Sequence, residues 1–156
     1  KEEKIMPVKS FKGLINDGGI ETIALHTNNG STGYKIKKLQ LMPQEPGASS
    51  VEHVVKIFKT SQSSASVTVD FSNQTLVASA FMTIGSSAGT YGNAGFESII
   101  FDNEIFNQDI FITHVDNGPN NKKCNYYIEL ETVKLALDEN TVATLKDIRN
   151  IEGRIV

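Results

Sequence analysis

The sequence predicts an all-β protein: an antiparallel β-sandwich, jelly-roll-like, with a short C-terminal helix. Eight or nine short apolar segments follow one another at a spacing of roughly ten residues, separated by turns rich in Gly, Asn and Ser. The period changes only near the end of the chain, where Asp138 can cap a helix over residues 139–150. A single helix in that place does not favour an alternation of strands and helices.

The length of 156 residues is most simply that of one domain, which buries roughly 70% of the surface of its unfolded chain. We predict an N-terminal extension or arm over residues 1–10, a β-sandwich domain over residues 11–137, and a C-terminal helix and tail over residues 138–156. Pro7 cannot donate to a sheet ladder, so the first strand, Met6–Ile15, is predicted to be an edge strand or an extended arm.

The segment Phe101–Leu137 is predicted to form the centre of the fold. It consists of two apolar strands joined by a polar hairpin loop over residues 116–121. The first strand is apolar on both faces, which is typical of a strand in the middle of a sheet. The second, Cys124–Leu137, keeps its apolar residues on one face only if one residue is skipped. This predicts a β-bulge near Glu131 or Thr132.

Five further strands are predicted upstream from the alternation of apolar residues. They are Glu21–Thr27, Gly33–Met42, Val51–Lys59, Leu76–Ile84 and Phe96–Phe101. The apolar phase of the strand Gly33–Met42 changes halfway, which predicts a bulge at Lys37–Lys38. Residues 61–66 and 85–95 are rich in Ser and Gly and predict long flexible loops.

Charge and composition argue against several classes of protein. The net charge is −3, from 15 basic and 18 acidic residues, and the densest basic cluster (Lys35, Lys37 and Lys38) is too small for a nucleic-acid surface. No apolar window is long enough for a membrane span, and residues 1–10 lack the apolar region of a secretory signal. The single cysteine, Cys124, excludes an internal disulfide and is interpreted as a small apolar residue.

Two groups of residues contain side chains that could bind a metal ion. Four acidic residues, Asp102, Glu104, Asp109 and Asp116, are close in sequence and carry the oxygen ligands that Ca²⁺ prefers. Their spacing matches no EF-hand loop, so solvated turn residues are the favoured interpretation. His26, His53 and His114 lie on three separate predicted strands, and ordinary strand histidines are favoured over a zinc site.

Catalytic and ligand-binding patterns are weak. The serines lie in flexible loops without a nucleophile-elbow pattern, and residues 85–95 lack the Lys-Ser/Thr ending of a phosphate-binding loop. Sugar binding is harder to exclude, because Tyr91 places one aromatic side chain in a flexible loop. We therefore predict that the protein is not an enzyme, and assign no catalytic, cofactor-binding or metal-binding residues and no cofactor.

Three segments together resemble a family of virion structural proteins of marine tailed bacteriophages. They are FDNEIFNQDIFITHVD (101–116), CNYYIELETVKL (124–135) and NTVATLKDIRNIEG (140–153), and GYKIKKLQLMPQEPG (33–47) and VEHVVKIFKTSQ (51–62) fit the same pattern. The similarity covers most of the chain and contains no functional signature. It implies a structural part of a virion, located on the particle.

The resemblance and the residues lead to two functional hypotheses. The first is a capsid decoration or cement protein that forms a homo-oligomer, with a trimer favoured on symmetry grounds, and that contacts other virion proteins such as the major capsid protein. It would bind neither nucleic acid nor membrane. The second is a receptor- or glycan-binding module of the tail or fibre. Copy number per particle distinguishes them, because shell proteins are far more abundant than appendage proteins.

Overall fold

Eight strands form two antiparallel sheets in the computed structural model, which describes residues 7–25, 31–47, 50–85 and 96–135. The strands are β1 (Val8–Ile15), β2 (Ile20–Ile23), β3 (Thr32–Pro43), β4 (Val51–Phe58), β5 (Leu76–Ile84), β6 (Phe96–Phe101), β7 (Ile110–Asp116) and β8 (Cys124–Lys134). One sheet has the order β1-β8-β3 and the other the order β2-β7-β4-β5-β6. The prediction of an all-β protein is confirmed, and the described residues contain no helix.

The two sheets enclose one hydrophobic core. Alternation along each strand turns every second side chain inward. On the three-stranded sheet, Ile128 and Leu130 of β8 are fully buried, and on the five-stranded sheet Val55 and Ile57 of β4 are fully buried in the same cluster. Branched aliphatic side chains of this kind pack well on a pleated surface. The interior strands β4, β5, β7 and β8 together supply more than half of this cluster.

Strands β4 to β7 follow a Greek-key order. β4, β5 and β6 pair consecutively, and β7 returns to lie beside β4, which gives the spatial order β7-β4-β5-β6. The returning segment, residues 102–109, contacts the other sheet through Phe106, whose N–H and C=O both bond to Tyr34 of β3, at 2.9 and 2.8 Å. This contact ties the two sheets together at one edge.

The predicted hairpin over Phe101–Leu137 is wrong, because its two strands belong to different sheets: β7 pairs with β2 and β4, and β8 pairs with β1 and β3. The turn residues correctly indicate a chain reversal between them. They do not determine whether the strands pair edge to edge or face one another across the core. Here the second arrangement buries the inward faces of both strands.

One of the two predicted bulges is confirmed. The register of β3 against β8 shifts between Ile36 and Lys38, as predicted for Lys37–Lys38. The bulge predicted near Glu131 and Thr132 is wrong, because both residues pair in continuous register with β3. The strand ends at Lys134 instead, and Leu135 turns inward with its N–H bonded to the Ser31 carbonyl at 2.7 Å.

The ends of the chain are described only in part. Residues 8–10, predicted to be part of the N-terminal extension, form the start of β1 and pair with residues 129–131 of β8. β1 is an edge strand, as Pro7 predicts. The predicted helix over residues 139–150 lies outside the described residues and stays a prediction. Within the described ranges, no helix is long and apolar enough to cross a membrane.

Candidate functional site

The four acidic residues considered for Ca²⁺ each interact with a separate part of the chain. Asp109 accepts the Leu25 N–H at 2.9 Å, and Glu104 pairs with Lys59 at 2.6 Å. Asp116 accepts three backbone N–H groups, and Asp102 donates its own N–H to a carbonyl of β5. Among the described residues, the group of side chains that could hold a metal ion is a different one.

That group consists of His53, His114 and Cys124, which the structure brings together inside the core. One ring nitrogen of each histidine and the cysteine sulfur all lie within 4.8 Å of one another, and all three residues are 0% exposed. His53 and His114 come from the neighbouring strands β4 and β7, and Cys124 reaches them from β8 in the opposite sheet. We call these three residues the His–Cys cluster.

A chain of hydrogen bonds sets the protonation of the two rings. His114 Nδ1 lies 2.8 Å from the Asn16 carbonyl oxygen, which only accepts, so this nitrogen carries a proton and donates. In the neutral ring, Nε2 of His114 is then an acceptor, and His53 Nδ1 donates to it at 2.8 Å. The remaining lone pair, on His53 Nε2, is buried and has no hydrogen-bond partner.

Burial keeps the cluster uncharged. It lowers the pKa of His53 to about 4; the nearby His114 acts in the same direction, and the carboxylates of Asp116 and Asp17 oppose it. Burial also lowers the pKa of His114, against its bond to Asn16. The pKa of the Cys124 thiol is raised to about 12, chiefly by burial. At neutral pH both imidazoles and the thiol are therefore neutral.

The surroundings of the cluster are negative. Burial favours a raised pKa for Asp116, but backbone N–H bonds from Lys122, Glu52 and Gly118 outweigh it and lower that pKa. The Asp116 carboxylate is therefore ionised at neutral pH. Asp17, whose Oδ1 accepts the Asp116 N–H at 2.8 Å, adds a second carboxylate that acts electrostatically on both histidines.

The sequence shows which residues share a strand face with each histidine, but not which strands are neighbours. Alternation places His53 in phase with Val55 and Ile57, and His114 in phase with Ile110 and Ile112, but both strands carry apolar residues on either face. The sequence does not show that β4 and β7 are neighbours, so the prediction of ordinary strand histidines did not bring His53 and His114 together. Cys124 was predicted to be only a small apolar residue, although β8 faces β4 and β7 across the core.

A second feature is an apolar surface along the outer face of β6. Phe96 and Ile100 share this face and are 60% and 49% exposed, and Phe71, in the loop between β4 and β5, is 64% exposed. Phe71 and Ile100 line one small cavity, and the ring of Phe81 lies 6.1 Å from that of Phe96. We call Phe71, Phe81, Phe96 and Ile100 the β6 surface.

Among the described strands, β6 is also at an edge, and no other strand of this part of the chain pairs with the backbone groups on its outer side. Of the four sheet edges in the described part of the chain, β1 and β3 carry lysines, β3 also has a bulge, and β2 is only 4 residues long. Such features discourage pairing with another chain. The sequence of β6, FESIIF, contains neither lysine nor proline, and its pairing with β5 is regular.

A cleft of about 640 Å³ lies along the three-stranded sheet and is lined by consecutive residues of β1, β3 and β8 together with Glu97. Tyr126 forms part of its wall and donates its hydroxyl to Glu21 at 2.8 Å. A Cβ at Gly13 would lie 2.7 Å from that hydroxyl oxygen, so glycine makes room for the ring. Tyr91, the residue considered for sugar binding, lies outside the described residues.

Comparison of the chain with models of protein families, with curated proteins and with solved structures found no match.

Proposed function

We propose that the protein is a non-enzymatic structural component of a bacteriophage virion, most simply a capsid decoration protein, and that its copies assemble through the β6 surface. The family resemblance supports a role in the virion. We infer the assembly from the exposed apolar edge strand β6. Among the sheet edges in the described part of the chain, it is the one that has no lysine, proline or bulge and is not short.

The finer fold supports the same function. We assign the two sheets to a β-sandwich of jelly-roll type, because they share one core and strands β4 to β7 follow a Greek-key order. Jelly rolls are the fold of many viral capsid proteins and lectins. This likeness is one of architecture, and it supports a structural role without identifying a position on the particle.

The partner that fits the β6 surface best is a second copy of this chain. An antiparallel pair of β6 strands related by a twofold axis at Ser98 would place Phe96 of each copy opposite Ile100 of the other. It would also place Glu97 opposite Ile99, so that no two carboxylates face each other. Both unpaired edges would gain hydrogen bonds, and apolar cross-strand pairs would cover the exposed side chains.

The oligomeric state of the purified protein tests this contact. Sedimentation equilibrium over a range of concentrations should show a dimer if β6 pairs with itself, and a trimer if β6 contacts a different surface of the next copy. Ile100→Asp should shift either oligomer to monomer. Met42→Asp is the matched control, since Met42 is 62% exposed on the edge strand β3. A wild-type protein that is monomeric at every concentration would contradict the proposal.

The place on the particle is tested by copy number. Quantitative mass spectrometry of purified virions should find this protein in a near-constant, high ratio to the major capsid protein. A ratio of only a few per cent would move it to the tail or a fibre, and its absence from particles would refute a virion role. Deleting residues 1–6, which leaves β1 intact, tests whether the N-terminal extension attaches the protein to the shell.

The cleft favours one alternative, a glycan- or receptor-binding module of the tail or fibre. Its volume lies within the range of small-molecule sites, and its lining combines Tyr127 with the polar side chains of Gln40 and Asn125. Tyr127→Ala and Tyr91→Ala should each weaken binding to a glycan that the wild-type protein retains on an array. No retention of any glycan would count against this alternative.

A further inference from the structure

We propose that the His–Cys cluster is a binding site for one zinc ion, with a ring nitrogen of His53, a ring nitrogen of His114 and the sulfur of Cys124 as ligands and a water molecule at the fourth position. Two imidazoles and one thiolate are a ligand set typical of zinc. The site would join β4 and β7 of one sheet to β8 of the other. The proposal does not depend on the β6 surface or on a place in the virion.

The first support is geometric. Zn–N distances of about 2.0–2.1 Å and Zn–S distances of about 2.3 Å place the ligand atoms of a tetrahedral site roughly 3.3–3.8 Å apart. The three ligand atoms of the cluster lie within 4.8 Å of one another, and His53 Nδ1 and His114 Nε2 are 2.8 Å apart. Coordination therefore requires each of these separations to change by no more than about 1.5 Å.

The second support is the unpartnered lone pair. His53 Nε2 is fully buried and accepts no hydrogen bond in the protein. A buried acceptor without a partner destabilises the folded state, so native proteins keep few of them. A metal ion bound through His53 Nε2 would give this lone pair its partner, whereas one bound through Nδ1 would leave Nε2 as a buried N–H.

The third support is the orientation of His114. Its Nδ1–H donates to the Asn16 carbonyl oxygen at 2.8 Å, which leaves Nε2 as the nitrogen with a free lone pair towards the cluster. A hydrogen bond from the second ring nitrogen to a carbonyl is the usual way in which proteins orient a metal-binding histidine. Here the turn after β1 supplies that carbonyl.

The charges balance in the proposed reaction. Zn²⁺ binds two neutral imidazoles and displaces the proton of the Cys124 thiol, so one proton is released to solvent and the complex carries a net charge of +1. If His53 binds through Nδ1, its proton moves to Nε2 of the same ring. The carboxylates of Asp116 and Asp17 act electrostatically on both histidines, and they offset the added positive charge.

Cobalt binding tests the site directly. The full-length protein, stripped of metal with a chelator, should bind one equivalent of Co²⁺ and develop the visible bands of tetrahedral cobalt together with a near-ultraviolet thiolate-to-cobalt band. One equivalent of Zn²⁺ should bleach both. Cys124→Ser and His53→Gln should each weaken zinc affinity by more than about 100-fold, because loss of an outer-shell partner alone costs about 10–100-fold.

Thr113→Val is the matched control, since Thr113 is buried on β7 beside His114 with its side chain on the opposite face of the strand. It should bind cobalt as the wild-type protein does. Circular dichroism establishes which variants fold, and the wild-type titration is informative even if a ligand variant does not. Folded wild-type protein that binds neither Co²⁺ nor Zn²⁺ would overturn the proposal, and so would a thiolate band that survives in Cys124→Ser.

Discussion

His53 Nδ1 and His114 Nε2 lie 2.8 Å apart inside the core, although the two residues are separated by 61 positions in the sequence. They meet because β4 and β7 are neighbours in the five-stranded sheet and both side chains point inward. The hydrogen bond between the rings is fully buried, so His53 Nδ1 and His114 Nε2 each depend on the other ring for a partner, while His114 Nδ1 donates to the Asn16 carbonyl. This dependence can be measured.

Replacing either histidine by leucine should destabilise the metal-free protein by about 1–3 kcal/mol, because the polar atom of the other ring then loses its partner. His53→Leu with His114→Leu should cost less than the sum of the two single changes, since neither ring is then left without the other. Urea unfolding in the presence of a chelator measures the cycle. Strict additivity would mean that the two rings do not stabilise each other.

The ion pair between Lys59 and Glu104 should contribute more to stability than a pair on the surface. Lys59 Nζ lies 2.6 Å from Glu104 Oε1, and the side chains are 2% and 29% exposed. Glu104→Gln should therefore lower the free energy of unfolding by about 1–3 kcal/mol, less than the loss typical of a fully buried pair.

The pair between Lys35 and Glu131 is the matched control, with an N–O distance of 3.6 Å and side chains that are 36% and 26% exposed. Glu131→Gln should change the free energy of unfolding by no more than about 1 kcal/mol. Urea unfolding of both variants under the same conditions makes the comparison. Equal losses in the two variants would contradict the expected role of burial.

Lys56 should make the stability depend on pH in the alkaline range. Burial lowers its pKa from the usual 10.5, so between the lowered value and 10.5 the unfolded chain binds more protons than the folded protein. The contribution of this group to the free energy of unfolding therefore rises with pH across that window. Lys56→Met removes the group, and the stability of wild type relative to this variant should increase as the pH approaches 10.5.

Lys37→Met, on the exposed face of β3, controls for the loss of one positive charge. Lys56 also donates to Ser66 Oγ at 3.0 Å and to the Thr68 carbonyl at 2.6 Å, so its loss should loosen the loop between β4 and β5. Hydrogen exchange of that loop reports this effect independently of pH. A wild-type-to-variant difference that stays constant with pH would show that the folded protein does not perturb this lysine.

Gly13→Ala should destabilise the protein by about 1–3 kcal/mol through crowding. The added Cβ would lie 2.7 Å from the Tyr126 hydroxyl oxygen and 2.8 Å from its ring, which must then shift away from Glu21. Combining Gly13→Ala with Tyr126→Leu should cost less than the sum of the two changes, because the smaller side chain leaves room for the methyl group. Thermal unfolding of the single and double variants tests this, and additive losses would contradict it.

Local features of the fold were predictable from the sequence. The strands Leu76–Ile84 and Phe96–Phe101 were predicted with the bounds that the structure has, and the change of apolar phase in β3 correctly predicted its bulge. Alternation also placed His53 on one face with Val55 and Ile57, and His114 on one face with Ile110 and Ile112. These features depend on a few consecutive residues, whose side chains must point to opposite faces of an extended chain.

The tertiary structure alone decided which strands pair and which side chains meet. β7 and β8, which were predicted to form one hairpin, lie in different sheets. This separation places Cys124 opposite His53 and His114. A turn sequence specifies that the chain reverses. The sheet that each strand joins depends on how all the apolar faces are buried together, which is a property of residues far apart in the chain.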